Sequence, residues 1–180
     1  YCGPDKYDGM RNLLFRNEGG DGFRDVSDAA GIASVRGKGM GIAFNDYNGD
    51  GFTDIFVSND GMEQYLFRNS GKGTFEETAL DAGVALADDG KSYAGMGVSF
   101  MDFNNDGRPD IAVTNLALEK YALYRNDGEG RFSYASQTTG LAGLSAGSSG
   151  WGVGMHDFDN DEWKDLFVSQ SHVLDNVQRI

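Results

Sequence analysis

Three acidic segments recur along this chain at intervals of 56 and 55 residues: DYNGDGFTD from Asp46, DFNNDGRPD from Asp102 and DFDNDEWKD from Asp157. Each carries Asp or Asn at its first, third, fifth and ninth positions, with apolar-rich sequence before and after. Self-similarity at a fixed period means that each unit builds the same local structure, so the chain is an array and not one irregular core.

Clustered oxygen donors at alternate positions of a tight loop suit calcium, a hard cation that takes six to eight oxygen ligands. The first segment offers Asp46, Asn48, Asp50 and Asp54, with the carbonyl of Phe52 as a backbone ligand. The second offers Asp102, Asn104, Asp106 and Asp110 with the Arg108 carbonyl, and the third Asp157, Asp159, Asp161 and Asp165 with the Trp163 carbonyl. About three calcium ions are therefore expected. Gly51 and Gly107 occupy the sixth position, where a sharp turn favours positive φ; Glu162 stands there in the third loop, which must adopt the turn with strain or bind differently. An EF-hand loop also begins D-x-[DN]-x-[DN]-G, but its twelfth position is a bidentate Glu, where this chain has Val57, Val113 and Val168. The following runs IFVSN, IAVTN and LFVSQ are β-branched and aromatic, which predicts strands and not the helices of an EF-hand. The bland alternative is a set of solvated Asp/Asn turns. It requires carboxylates this close to tolerate one another without a cation.

The repeat extends beyond the loops. Glycine-rich runs precede them: GMGIAFN from Gly39, GMGVSFM from Gly95 and GWGVGMH from Gly150. The runs LLFRN, YLFRN and ALYRN, from Leu13, Tyr65 and Ala122, lead into Gly-rich turns that end at Phe23, Phe75 and Phe132. AGI at Ala30, AGV at Ala82 and TGL at Thr139 close the unit. Strand, acidic loop, strand, turn, strand, Gly hairpin and strand describe one four-stranded antiparallel blade of a β-propeller. The expected fold is all-β, with calcium loops between strands 1 and 2 of each blade. Glycines on the innermost strand permit close approach at the axis. Met40, Met96 and Met101 read as core filling there, and Trp151 as packing. A phosphate-cradling loop is disfavoured, because GKGMG and SGWGVG lack the Walker lysine-hydroxyl pair.

These motifs resemble the FG-GAP, or VCBS, repeat of integrin-alpha-like propellers, whose hallmark is a D-x-[DN]-x-D-G-x-x-D calcium loop. The run from Asn12 to Val26, with its Leu-Phe pair, second Asn, glycine turn, Phe, acid and Val, is similar to the subgroup related to cartilage acidic protein and the UnbV proteins. The resemblance covers nearly the whole chain and implies a fold and a metal more than an activity. Departures are Glu162 for Gly, and Ser133 and Tyr134 where other copies carry Arg24 and Asp25 or Glu76 and Glu77.

The predicted organisation is a half blade over 11–32, blades over 38–84 and 94–142, and a half blade over 150–172, about three blades in all. Four to eight blades make an ordinary ring, so the expectation is a segment of one propeller domain that needs the remainder of its own propeller. A protomer completing its ring with another copy is the lesser alternative. Open apolar blade faces should drive association. The small and polar stretches Ala85–Tyr93 and Gly143–Ser149 read as linkers between repeats.

The formal net charge is −13, and three divalent ions would bring it to −7, which still argues against nucleic acid or an anionic membrane as partner. Arg16, Arg68 and Arg125 recur at one repeat position and read as exposed strand residues in preference to an anion site. No apolar run is long enough to insert into a membrane as a helix. Cys2 is the one cysteine, so no disulfide forms within the chain. Calcium loops of this kind fill where calcium is plentiful, which points to an extracellular, cell-surface or periplasmic location.

The sequence offers no catalytic constellation. Its two histidines, His156 and His172, read as incidental, and the paired carboxylates belong to the loops. A non-catalytic protein-interaction or scaffolding module is the expected function, with a carbohydrate-binding or lyase propeller as the alternative. In an up-and-down blade the calcium loops and Gly hairpins share one face of the disc. The other face collects the more variable connections and the partner candidates Asp60, Met62, Glu63, Leu116, Leu118, Glu119 and His172, with variable loops on a rigid scaffold being where binding resides.

Overall fold

The computed structural model describes residues 3–20 and 22–171; Cys2 and His172 lie outside the described residues. The chain begins with β1 (Met10–Arg11), β2 (Phe15–Asn17), β3 (Phe23–Asp25) and β4 (Arg36–Gly37). Strands β5 (Gly39–Asn45), β6 (Asp54–Asn59), β7 (Tyr65–Asn69) and β8 (Phe75–Glu77) then form a four-stranded sheet in sequence order. A second such sheet joins β9 (Val98–Met101), β10 (Asp110–Val113), β11 (Ala122–Gly128) and β12 (Arg131–Tyr134). The chain continues into the hairpin β13 (Gly150–His156) and β14 (Asp165–Gln170). All pairings are antiparallel, and β2–β3 and β1–β4 are two-stranded. Among the described residues the array is two complete propeller blades flanked by a third-and-fourth-strand hairpin (β2–β3) and a first-and-second-strand hairpin (β13–β14), and no sheet there closes on itself.

Strand alternation puts apolar side chains on both faces of each blade, so the cores lie between blades. Phe56 and Leu66 of the first blade meet Phe100, Ile111, Tyr124 and Phe132 of the second. Tyr65 and Phe67 on the first blade's other face pack against Ala30, Ile32 and Leu14 of the N-terminal segment. Leu123 and Ala112 of the second blade meet Met155 and Leu166 of the C-terminal hairpin. Phe56, Leu66, Phe67 and Ile111 are fully buried. At roughly 1.5–3 kcal/mol for each fully buried large apolar side chain, interblade packing outweighs the surface ion pairs, each worth at most about 1 kcal/mol.

Successive innermost strands approach closely because they carry glycine. A Cβ on Gly41 would sit 2.5 Å from the Met96 carbonyl oxygen of the next blade, and one on Gly97 would collide with that of Trp151. Ser58 Oγ donates to the Met96 carbonyl at 2.7 Å, and Thr114 Oγ1 to the Trp151 carbonyl at 3.1 Å. One repeated hydroxyl thus ties each blade to the next.

Two expectations need correction. Met40 and Met101 are largely exposed, and of the three methionines assigned to the axial core only Met96 is buried. Met40 lies where the register of β5 slips between Gly39 and Gly41. The linkers are not wholly irregular either. Short helices α1 (Ala79–Ala82) and α2 (Leu141–Ser145) follow the fourth strands, so the stretch from Gly143 starts inside a helical turn. The periodicity of such short elements is invisible in sequence. Their common marker is a left-handed glycine: Gly31, Gly83 and Gly140 have φ of 81°, 83° and 81°.

Candidate metal centre

The acidic loops fold alike because each first Asp caps its own turn. Asp46 Oδ1 accepts the N–H groups of Gly49 (2.8 Å) and Asp50 (3.1 Å), and its Oδ2 that of Gly51 (2.7 Å). Asp102 accepts from Asp106 (3.2 Å) and Gly107 (2.8 Å), and Asp157 from Asp161 (3.1 Å) and Glu162 (2.9 Å). The third residue repeats the theme, with Asn48, Asn104 and Asp159 accepting from the amide two positions on. The fifth residues Asp50, Asp106 and Asp161 accept the N–H of Phe52, Arg108 and Trp163, each at 2.9 Å. Backbone amides therefore aim three side chains of every loop inward.

The fourth and sixth positions of each loop are left-handed: Gly49 and Gly51 (73° and 86°), Asn105 and Gly107 (59° and 83°), Asn160 and Glu162 (61° and 76°). The third loop takes the same turn as the others, and Glu162 carries the strain that glycine avoids elsewhere. Among the described residues, Asp157, Asp159 and Asp165 form a three-carboxylate group whose oxygens lie within 4.8 Å of one another. All four side-chain donors of this loop are Asp, which fits a divalent hard cation. The first two loops place Asn at the third position, and its Nδ2 donates to the fifth-position Asp: Asn48 to Asp50 Oδ2 at 2.9 Å and Asn104 to Asp106 Oδ2 at 3.0 Å. In the second loop Arg108 Nη2 also reaches Asp106 Oδ2, at 2.6 Å.

The ninth residue does more than complete a donor set. Asp54 is fully buried; its Oδ2 accepts the Tyr47 N–H at 3.1 Å and its Oδ1 the Asn69 N–H at 2.7 Å. Asp110 does the same with Phe103 and Asn126. Each therefore joins the loop's start to the end of the third strand. Burial pushes both carboxyls up to about 6, against the amides that favour their charge, with Asp50 and Asp46 or Asp106 and Asp102 adding repulsion. In the third loop Asp165 accepts from Phe158 at 3.1 Å but is exposed.

Residues that the sequence reading passed over hold this arrangement. Asn126 is fully buried; its Nδ2 donates to the carbonyls of Tyr47 (2.8 Å) and Pro109 (3.1 Å) and its Oδ1 accepts from Gly128 (2.9 Å). Asn69 likewise donates to Thr53 and accepts from Gly71. The signal was present as the Asn that ends every LFRN-type run. The seventh-position side chains cover the hairpin of their own blade: the Phe52 ring lies against Gly71, and Arg108 Nε donates to the Asn126 carbonyl. Loops and Gly hairpins share one side of the array, as Tyr47 stacking on Phe132 of the next blade (5.9 Å) also shows.

On the opposite side, the partner candidates differ in availability. Asp60 is buried, and burial raises its carboxyl, with Lys38 opposing the rise. Glu119 Oε2 accepts the N–H groups of Ala94 (3.0 Å) and Leu116 (3.2 Å), so its charge is used within the fold. Glu63 and Leu118 are exposed, and Met62 and Leu116 partly so. Leu118 stands out at 73% exposure with a φ of 73°, its N–H donating to the Ala146 carbonyl at 2.9 Å. His156 packs edge-on against Phe158 at 5.4 Å. Arg16, Arg68 and Arg125 lie exposed in ion pairs with Glu18, Glu76 and Asp127.

Blades of four antiparallel strands with a repeated acidic loop between strands 1 and 2 define a repeat-propeller protein. The FG-GAP-like repeat matches residues 46–113 and again 102–168, each match starting at the first Asp of a loop, and the chain belongs to that family. It is 34% identical over 149 residues to human cartilage acidic protein 1, and 32% over 147 residues to the mouse protein. Both alignments take in 82% of this chain. The Xenopus tropicalis protein of that name is 33% identical over 145 residues. The chain spans 21% to 22% of the length of these relatives. No helix among the described residues is long and apolar enough to cross a membrane.

Proposed function

We propose that this chain is part of a calcium-braced, extracellular β-propeller that serves as a non-catalytic protein-interaction scaffold. The observation that carries the reading is the repetition of one loop geometry three times on one side of successive sheets, each with inward-aimed carboxylate or amide oxygens. Asp46, Asn48, Asp50 and Asp54 would hold one ion, Asp102, Asn104, Asp106 and Asp110 a second, and Asp157, Asp159, Asp161 and Asp165 a third. Calcium would neutralise carboxylates that otherwise repel and would stiffen the turn that links strands 1 and 2. An extracellular setting, where calcium is abundant, suits such loops.

The binding surface proposed is the side opposite the loops. Backbone bonds from Gly61 to Tyr93, from Gln64 to Ala85 and from Leu118 to Ala146 hold its connections to one another, and a rigid apolar projection at Leu118 suits a protein partner. Calorimetric titration with calcium tests the metal arm: Asp50→Ala should lose one site and leave the others filled. Affinity capture from extracellular medium with Glu63→Lys and Leu118→Ser tests the surface. Loss of captured protein with calcium binding intact supports it; unchanged capture removes it.

A further inference from the structure

The second and third acidic loops touch, through two side-chain-bearing residues that both stand in the left-handed region. Asn105, fourth in the second loop, donates from Nδ2 to the carbonyl of Glu162, sixth in the third loop, at 2.6 Å. Their φ angles are 59° and 76°, where glycine would cost less. Asn tolerates that region because its side chain is short and polar, and here its amide is the group that makes the contact. The first loop carries Gly49 at the equivalent position and has no side chain to offer. It reaches the second blade by another route, from the Tyr47 carbonyl to Asn126.

The bond falls on a peptide that shapes the third loop. Glu162 N–H donates to Asp157 Oδ2 at 2.9 Å, and the next N–H, of Trp163, donates to Asp161 Oδ1 at 2.9 Å. The Glu162 carbonyl and the Trp163 N–H belong to one rigid peptide plane. Asp161 therefore holds that plane from within the loop and Asn105 holds it from outside. On its own side, Asn105 lies between Asn104 and Asp106, where the Asp106 N–H bonds Asp102 Oδ1 and Asn104 Oδ1. Its reach across thus depends on the second turn being closed.

The two loops are unequally prepared for a cation. In the third, carboxylate oxygens of Asp157, Asp159 and Asp165 already lie within 4.8 Å of one another. In the second, Asp106 Oδ2 is taken by Asn104 Nδ2 at 3.0 Å and by Arg108 Nη2 at 2.6 Å, and must release them to face an ion. We propose that Asn105 couples the two sites: an ion in the third loop fixes the Glu162 carbonyl, holds Asn105 and the second turn with it, and raises the second loop's affinity. The inference rests on the calcium reading above and adds which sites depend on each other. Coupling of binding is reciprocal, so an ion in the second loop raises the third's affinity by the same factor. The one bond that carries it sets the size, and a net hydrogen bond supports about three- to tenfold. Repulsion between the two ions opposes the effect but is screened by salt.

Heteronuclear NMR titration of the 180-residue chain with calcium reads each loop separately. The amides of Gly51, Gly107 and Glu162 all donate to the first Asp of their own loop and so report its filling. Asp106→Ala, which disables the second site, should weaken the third by about three- to tenfold. Asp161→Ala should weaken the second by the same factor. In an Asn105→Gly background, which keeps the turn and copies Gly49, neither change should reach the other loop, and the first site should fill as in wild type. This double-mutant cycle separates the bond from the lost charge, which is the same in both backgrounds. Amides that do not respond to calcium would remove the calcium reading and the coupling together. Second and third sites that fill independently in the wild-type chain, or a dependence that persists in Asn105→Gly, overturn the coupling alone.

Discussion

Glu162 is the residue at which local chemistry and repeat geometry disagree. Its φ of 76° matches the glycines of the other loops, at a cost of about 1–2 kcal/mol for a side chain in that region. Glycine would relieve the strain but enlarge the unfolded ensemble by about 0.5–1 kcal/mol. Glu162→Gly should therefore raise stability by up to about 1.5 kcal/mol and leave calcium binding in place, as chemical denaturation in calcium would show. Asp54 and Asp110 have a pH signature. Their folded carboxyls lie near 6 against an ordinary 3.8, so the folded chain takes up protons between those values. In chelator, their contribution to stability is fully present below about 3.8 and lost as pH rises through 6. Denaturation of wild type and Asp54→Asn across this window checks it: the variant should lose part of the slope. Arg108 holds a positive charge 2.6 Å from Asp106 Oδ2. Arg108→Ala should tighten calcium at the second loop, read by calorimetry, because the competing cation is gone.

The elements most legible in the sequence were the strands around the acidic loops. IFVSN read as a strand from its β-branched and aromatic content, and GMGIAFN and YLFRN from their places in the repeat; they lie in β6, β5 and β7. The turn geometry was legible where Gly51 and Gly107 mark positive φ; for Glu162 the sequence left a strained turn or a different loop open, and the strained turn is what forms. Less legible were the roles of side chains that fasten one element to another. Asn126 drew no role beyond ending the ALYRN run, yet its buried amide bridges two carbonyls and one N–H across a blade junction. Asn126→Ala strands buried backbone groups that cost about 1–3 kcal/mol apiece. It should therefore destabilise by at least about 2 kcal/mol, and more than Asn69→Ala, whose site is half-exposed. Denaturant unfolding of both variants measures the difference. Asp60 and Glu119 looked like surface acids because a loop's variability does not reveal which carboxylates its neighbours' amides will enclose.

At the scale of the molecule, burial is concentrated between blades, and the loops sit at the rim that joins them. Tyr47, inside the first loop, stacks on Phe132 of the second blade, and its carbonyl accepts from Asn126. Ordering a loop therefore braces the neighbouring blade as well as its own. Met40 was read as core filling and is exposed, as are Ile42 and Phe44, because burial there depends on what lies beside the blade and not on strand alternation. The most direct measurement of the central claim is calcium stoichiometry paired with thermal unfolding on the 180-residue chain. Three ions per chain should bind, and the midpoint should rise with calcium, each filled site adding about 2.7 kcal/mol at a hundredfold excess over its Kd. No bound calcium, with equal midpoints in calcium and chelator, would contradict the account.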